Sequence, residues 1–289
     1  MHGALEAWWR TKGSLIELEV ALDWLRNQSQ AEWNTYEIVC AEELMKKYNE
    51  LYCNDGYKTK VVEVEFVAPL LNPGTIAKSK TFELSGKLDA VAKKESRYFL
   101  VEHKTTGDSI APESDYWAAL SIDGQVSGYF VGADASGYDC IECMYDVIKR
   151  PDLRPHKATP LENRKYTKDG KLYATQRDTD EGELEFAYRL KEDIDSRPDH
   201  YFQRRIISRS SDDMVDYMYD MWATAREIRN SQLSGRWPRN PKACIRFGRC
   251  EYFGVCTKCE SIEDTSLFEK VENVHQEFSH TTNQKEIAV

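Results

Sequence analysis

The sequence has no run of about eighteen apolar residues, so no segment reads as a membrane span. Its opening, "MHGALEAWWR", places charge before any apolar stretch and does not read as a secretory signal. Without such a signal a cytoplasmic, reducing setting is expected, and the eight cysteines read as thiols or metal ligands, not as a disulfide framework. No internal repeat is visible. Net positive charge is lacking too: at −10 the chain is a poor general polyanion binder.

What is present lies unevenly. Residues 149–177 hold nine Lys or Arg against three Asp or Glu, and residues 226–249 hold seven against one. Such segregation suits an acidic exterior with a basic track for phosphates, although either stretch alone reads equally well as a solvated loop.

With 289 residues, 41% apolar and 30% charged, the chain has the length and composition of a globular protein of one large or two small domains. Residues 1–53 show apolar positions at helical spacing. Strands are expected at 60–70, in a hairpin over 82–107, at 138–150 and at 200–210. Helices are expected at 112–135, near 180–195 and near 212–232. A polar, basic, proline-punctuated loop fills 150–180. The expected class is α/β, a central mixed sheet flanked by helices, with a Cys-rich loop at 237–259 closing an ordered region of 1–259. An acidic tail at 260–289 reads as flexible.

The hairpin "FELSGKLDAVAKKESRYFLVEHKTTG" poses a puzzle, because Asp89, Glu102 and Lys104 interrupt two otherwise apolar strands. A turn spanning Lys94 to Arg97 sets Lys93 against Tyr98 and Asp89 against Glu102. Alternation then puts Glu102 and Lys104 on one face. Two converging carboxylates repel unless a cation separates them, and paired carboxylate oxygens suit Mg²⁺ or Mn²⁺. A nearby lysine can position a water. Taken alone, the pattern reads more simply as a cross-strand ion pair of little energetic worth.

Gln125 and Tyr129, four apart, share a helix face, as do His2 and Glu6. Tyr129 alone reads as a core aromatic, and His2 alone as a frayed terminal residue. "CIRFGRCEYFGVCTKC" spaces Cys244, Cys250 and Cys256 by six positions, with Cys259 three further on. That is one short knuckle where structural zinc sites show two, so an iron–sulfur ligand set fits better. Cys140 and Cys143, an odd separation apart on a strand, read as packing residues on opposite faces. Cys40 and Cys53 read as core.

Together these elements resemble the RecB-like branch of the PD-(D/E)XK nuclease superfamily, closest to phage and CRISPR-associated exonucleases and AddB-type subunits with a cysteine-ligated iron–sulfur cluster. The family's GxxxHxxxE helix matches "MHGALE" at His2 and Glu6. Its metal-binding aspartate matches Asp89, its Glu-x-Lys matches Glu102 and Lys104, and its Gln-x-x-x-Tyr matches Gln125 and Tyr129. Its C-terminal cysteines match Cys244, Cys250 and Cys256. In the family a helical lead-in with the first cluster cysteine precedes the histidine. Here the chain opens at the motif, so the resemblance implies a shortened form with Cys259 or Cys40 as fourth ligand.

The resemblance further implies a restriction-endonuclease-like core and metal-dependent hydrolysis of DNA, single-stranded or with free ends. Its setting would be recombination, repair or phage DNA processing, with a helicase or recombinase as partner and no membrane. His2, Asp89, Glu102 and the His103 carbonyl would hold Mg²⁺ or Mn²⁺, Lys104 would orient water, and Gln125 and Tyr129 would position the strand. Arg150, Arg154, Lys157, Arg164, Lys165, Tyr166, Lys168 and Lys171 would track the backbone. The rival readings are a catalytically inactive DNA-binding scaffold on the same fold and a zinc-stabilised interaction protein.

Overall fold

A computed structural model describes residues 1–28, 33–246 and 248–271. The chain divides into two compact units, Met1–Ala68 with Leu84–Tyr217 and Pro69–Glu83 with Met218–Val289. The expected tail at 260–289 is irregular and mostly exposed as far as 271, and its remainder lies outside the described residues. Among the described residues no helix is long and apolar enough to cross a membrane.

The first unit begins with three helices, α1 (His2–Thr11), α2 (Glu17–Arg26) and α3 (Thr35–Tyr52). Asn34 starts α3 through a capping box with Glu37, which satisfies two backbone donors reciprocally. One face of α1 buries Ala4, Leu5, Trp8 and Trp9. Both indoles find acceptors on α3: Trp8 donates to Asn49 Oδ1 and Trp9 to Tyr48 Oη, each at 2.9 Å. Gly3 lets α1 approach α2, since a Cβ there would stand 2.2 Å from the Trp24 ring. That close seat fixes the helix end that carries His2.

Five strands follow as one sheet in the order β1-β2-β3-β4-β5. They are β1 (Lys58–Leu71), β2 (Lys78–Lys94), β3 (Arg97–Thr106), β4 (Cys140–Lys149) and β5 (Phe202–Ser208). β2 and β3 pair antiparallel with Lys93 opposite Tyr98 and Lys94 opposite Arg97. This is the register expected from sequence, and extended by one pair it sets Asp89 against Glu102. β3 and β4 run parallel, and β4 and β5 antiparallel, so the sheet is mixed.

Ala90, Ala92, Val101, Met144 and Ile148 join α1–α3 in one buried cluster. Val91, Leu100, Cys143, Tyr145 and Val147 join a second, with α4 (Asp115–Ala119) and α5 (Gly124–Ala135). Helices thus cover both faces, and the α/β class with a restriction-endonuclease-like core stands. Burying the valine, leucine, isoleucine and methionine side chains among these stabilises by about 1.5–3 kcal/mol each.

Three local expectations change. The helix expected over 112–135 is broken: a 3-10 turn at Leu120–Ile122 precedes Asp123, whose carboxylate caps α5 by accepting the Gln125 N–H at 2.7 Å. His200 and Tyr201 close a short helix, α7 (Pro198–Tyr201), which follows α6 (Glu183–Ser196); they do not open β5. The register shift at Tyr98/Phe99 gives β4 an extra residue, so Cys140 and Cys143 pack against the same cluster instead of opposite faces.

The first unit's remaining element is the start of α8 (Ser211–Ser234), which continues into the second unit. There the cysteine-rich stretch is irregular apart from one turn, α9 (Phe253–Cys256). A stacked Tyr252–Phe268 pair, with centroids 5.7 Å apart, is among its contacts.

Candidate active site

Strand β3 supplies the centre. Glu102 is 1% exposed, and its Oε2 makes no hydrogen bond among the described residues. Its other oxygen, Oε1, lies 2.5 Å from Lys104 Nζ. Burial, and then the charge of Asp89, pushes the Glu102 carboxyl up to about 7, against the pull of Lys104. Asp89 is oriented by the backbone of β3, accepting the His103 N–H at 2.8 Å through Oδ2.

Helix α1 brings His2 to the other side of Asp89. Its Nε2 stands 3.7 Å from Asp89 Oδ1 and 3.1 Å from Glu63 Oε1. The bond to Glu63 raises the His2 pKa despite partial burial. Glu63 sits on β1 at a positive φ of 56°, and Lys87 pairs with its second oxygen. Burial would lift the Glu63 carboxyl, but the bonds from His2 and Lys87 outweigh it and hold the group below its ordinary value.

Helix α5 closes the site. It docks on Phe66 of β1 through Gly132, where a Cβ would lie 2.4 Å from the ring. In that seat Gln125 Oε1 accepts from Lys104 Nζ at 2.8 Å, and Gln125 Nε2 donates to Tyr129 Oη at 2.8 Å. Burial, with Glu102 and Asp89 adding to it, pushes the Tyr129 hydroxyl up, so it keeps its proton.

His2, Asp89, Glu102, Lys104, Gln125 and Tyr129 therefore form one connected group. Glu6 stands apart, bonded within α1 to Arg10 at 2.8 and 3.0 Å. The His103 ring points to the other face of β3, where its Nδ1 lies 3.2 Å from Asp146 Oδ2; only its backbone belongs to the site. Sequence reading missed Glu63 and Lys87. Glu63 gave no signal of its own, since in "KVVEVEF" it alternates with Val62, Val64 and Phe66 as a solvent-facing residue would.

The residues expected along the DNA backbone divide. Lys157 pairs with Asp180 at 2.9 Å, and Arg164 donates to the carbonyls of Thr159 and Asp178 at 2.8 and 2.9 Å, so both staple the loop to itself. Lys165, Tyr166, Lys168 and Lys171 have exposed side chains, and Tyr166 bridges to Leu172. Arg150 and Arg154 line a cavity beside β3.

A divalent ion suits this group on chemical grounds. Among the described residues, His2, Glu63 and Asp89 are the one set of three potential ligands whose donor atoms all lie within 4.8 Å of one another. Three carboxylates face two ammonium groups, and Glu102 Oε2, without a hydrogen bond among the described residues, is a buried acceptor. Oxygen donors with one imidazole match Mg²⁺ and Mn²⁺.

The cysteines are a separate matter. Cys250, Cys256 and Cys259 are exposed, Cys244 is half-buried, and none forms a disulfide. A single zinc ion would draw its thiolates to within about 4 Å of one another, and no such group occurs among the described residues.

Compared with known proteins, the chain matches the family described as the PD-(D/E)XK nuclease superfamily over residues 1–257. No curated protein matches it. Four solved chains do. One, "Crystal structure of SSO0001", is 16% identical with a TM-score of 0.25, over 66% of this chain and 70% of that one.

Proposed function

Because the chain belongs to the PD-(D/E)XK nuclease superfamily, we propose that it hydrolyses phosphodiester bonds of DNA with Mg²⁺ or Mn²⁺, acting from strand ends as RecB-like exonucleases do. The observation that carries this reading is the buried Glu102 oxygen, without a hydrogen bond among the described residues, beside the cluster of His2, Glu63 and Asp89. Asp89, Glu102, His2 and the His103 carbonyl would hold the ion, with Glu63 as a further ligand. When bound, such an ion acts as a Lewis acid toward the phosphoryl oxygen.

The chain's own groups do the rest. Lys104, fixed between Glu102 Oε1 and Gln125 Oε1, presents an oriented Nζ that holds the attacking water and offsets negative charge developing on the phosphoryl oxygens. Tyr129 remains a protonated hydroxyl and can donate to a non-bridging phosphate oxygen, while Gln125 fixes both Lys104 and Tyr129. The exposed Lys165, Lys168 and Lys171 attract the backbone, and Tyr166 offers a ring for stacking. A scaffold without chemistry gains nothing from Lys104 held against a buried acid. A role in recombination, repair or phage DNA processing, beside a helicase or recombinase, is the setting that the RecB-like resemblance suggests.

For the cysteine segment the same reading assigns an iron–sulfur cluster to Cys244, Cys250, Cys256 and Cys259. A cluster spreads its thiolates over separate irons and holds them wider than one zinc does. Cys40 suits ligation less well, because burial pushes its thiol up to about 11. Iron and acid-labile sulfide in anaerobically prepared protein test this; zinc alone contradicts it.

The test of the main reading is cleavage of end-labelled linear single- and double-stranded DNA with Mg²⁺ or Mn²⁺. Metal-dependent cleavage that Asp89→Ala lacks supports it. Inactivity of the anaerobic, iron-replete wild type with every substrate and both metals overturns it.

A further inference from the structure

A cavity of about 620 Å³ opens just past the parallel ends of β3 and β4. Thr105 and Gly107 line it from β3's end, and Arg150 and Arg154 from the chain that follows β4. Cys40, Ala41 and Leu44 of α3, with Trp33, form a less polar wall. We propose that this cavity seats the phosphomonoester at the end of a DNA strand, which makes the nuclease end-dependent. The proposal rests on the nuclease reading above and names the part of the substrate that reading leaves open.

Charge decides the ligand class. The lining holds two acids and two guanidinium groups; the acids are held by close bonds, whereas Arg154 feels the charge of Asp152 only at longer range. Glu37 accepts the Asn34 N–H at 3.1 Å in the α3 cap, and Asp152 accepts from Lys149 at 2.7 Å. Neither the Arg150 nor the Arg154 side chain has a hydrogen bond or ion pair among the described residues. Two planar forks without such bonds suit a phosphate dianion, which accepts bidentate bonds from each. A terminal phosphomonoester carries more charge and one more free oxygen than an internal diester, so it gains more from the pair.

Shape agrees. The volume falls in the range of about 300–1,000 Å³ usual for small ligands, ample for one nucleotide. Trp33 offers an indole for a base or sugar, on which stacking is sequence-tolerant. Gly107 keeps room for the guanidinium, because a Cβ there would stand 3.2 Å from Arg150 Nη2. The position agrees as well. In parallel α/β units ligands gather beyond the carboxyl ends of the strands. Cavity and candidate site also share neighbours in the chain: Met1 lines the one while His2 reaches Asp89 in the other, and Thr105 follows Lys104.

The test uses the full chain carrying Lys104→Ala, so that bound DNA stays intact. Dissociation constants are measured by fluorescence anisotropy for one internally labelled oligonucleotide in four forms: 5′-phosphate, 5′-hydroxyl, 3′-phosphate and 3′-hydroxyl. One phosphorylated end is expected to bind at least about tenfold tighter than its hydroxyl counterpart, the scale of one charge-assisted bond. Which end does so gives the polarity. Adding Arg150→Gln and Arg154→Gln together should bring that ratio to about one. Each single variant should lower it partway, which keeps the test valid should the double variant melt early. A ratio near one for both ends in the parent overturns the proposal, as does a ratio that survives both substitutions. Because the readout is binding, a cavity that recognises phosphate in a chain that never cleaves would defeat the nuclease reading alone. Cleavage without end preference would defeat the cavity alone.

Discussion

Glu102 and Asp146 sit on neighbouring strands, each 1% exposed, yet the protein treats them in opposite ways. Asp146 is surrounded. Arg204 donates to its two oxygens at 2.9 and 3.1 Å, Tyr48 donates at 2.5 Å, and the His103 ring lies 3.2 Å away. Burial alone would lift its carboxyl, but these partners, Arg204 foremost, hold it well below the ordinary range. The Tyr48 hydroxyl is itself saturated: it gives its proton to Asp146 and accepts from Trp9 and Arg204 at 2.9 and 2.8 Å. Glu102 has one lysine, a neighbouring acid, the Tyr129 hydroxyl close by, and an oxygen that makes no hydrogen bond among the described residues. Similar burial therefore serves two ends. The first acid ties α3, β4 and β5 together, and the second is left in need of a partner from outside.

The largest effect should come from breaking the satisfied side. Arg204→Met strands Asp146 as an uncompensated buried charge, and urea unfolding should show a loss of about 3–5 kcal/mol. A loss under 1 kcal/mol would mean that the Asp146 network holds little together.

Next comes Lys104→Ala on the other side. Removing one oriented donor should lower cleavage about a hundred- to a thousandfold while the dissociation constant for DNA shifts by less than about threefold. Equal loss of both would make Lys104 a binding residue.

The pH dependence of metal-free protein sharpens the contrast further. Glu102 is raised from an ordinary 4.5 to about 7 in the folded chain. Between those values the native state binds more protons than the unfolded state, so its contribution to stability is full at low pH and fades as pH rises through about 7. Unfolding followed across that window in EDTA should show a decline on the order of 3 kcal/mol, most of which Glu102→Gln removes; His2, whose pKa its bond to Glu63 raises, adds a smaller decline of the same sign that remains. Asp146, already ionised throughout, should add no slope there.

The smallest effect belongs to the basic loop. Lys168→Ala and Lys171→Ala should each flatten the salt dependence of DNA binding by about one counterion, without changing sequence preference.

How far the sequence foretold this follows from how local each signal was. The Asp89–Glu102 register needed only a turn length, and Gln125 with Tyr129 only a helix period; both are read off neighbouring residues. Glu63 is remote in sequence from the hairpin it serves, and its positive φ at 56° re-aims a strand residue in a way alternation does not anticipate. The Asp146–Arg204 pair spans 58 positions and involves Tyr48 from a third element, so no spacing rule reaches it. The cysteines at 140 and 143 were misphased by one inserted residue, which reverses a face assignment outright. The break at Asp123 was in principle visible, since an aspartate before glycine is a helix start, but apolar periodicity on both sides concealed it.

The most direct test of the account is calorimetric titration of Mn²⁺ into the anaerobically prepared wild type, Glu102→Gln and Tyr48→Phe. The account expects the wild type and Tyr48→Phe to bind the ion alike and Glu102→Gln to lose most of that affinity. Undiminished binding by Glu102→Gln, or equal weakening in both variants, would contradict the division between a poised acid and a structural one.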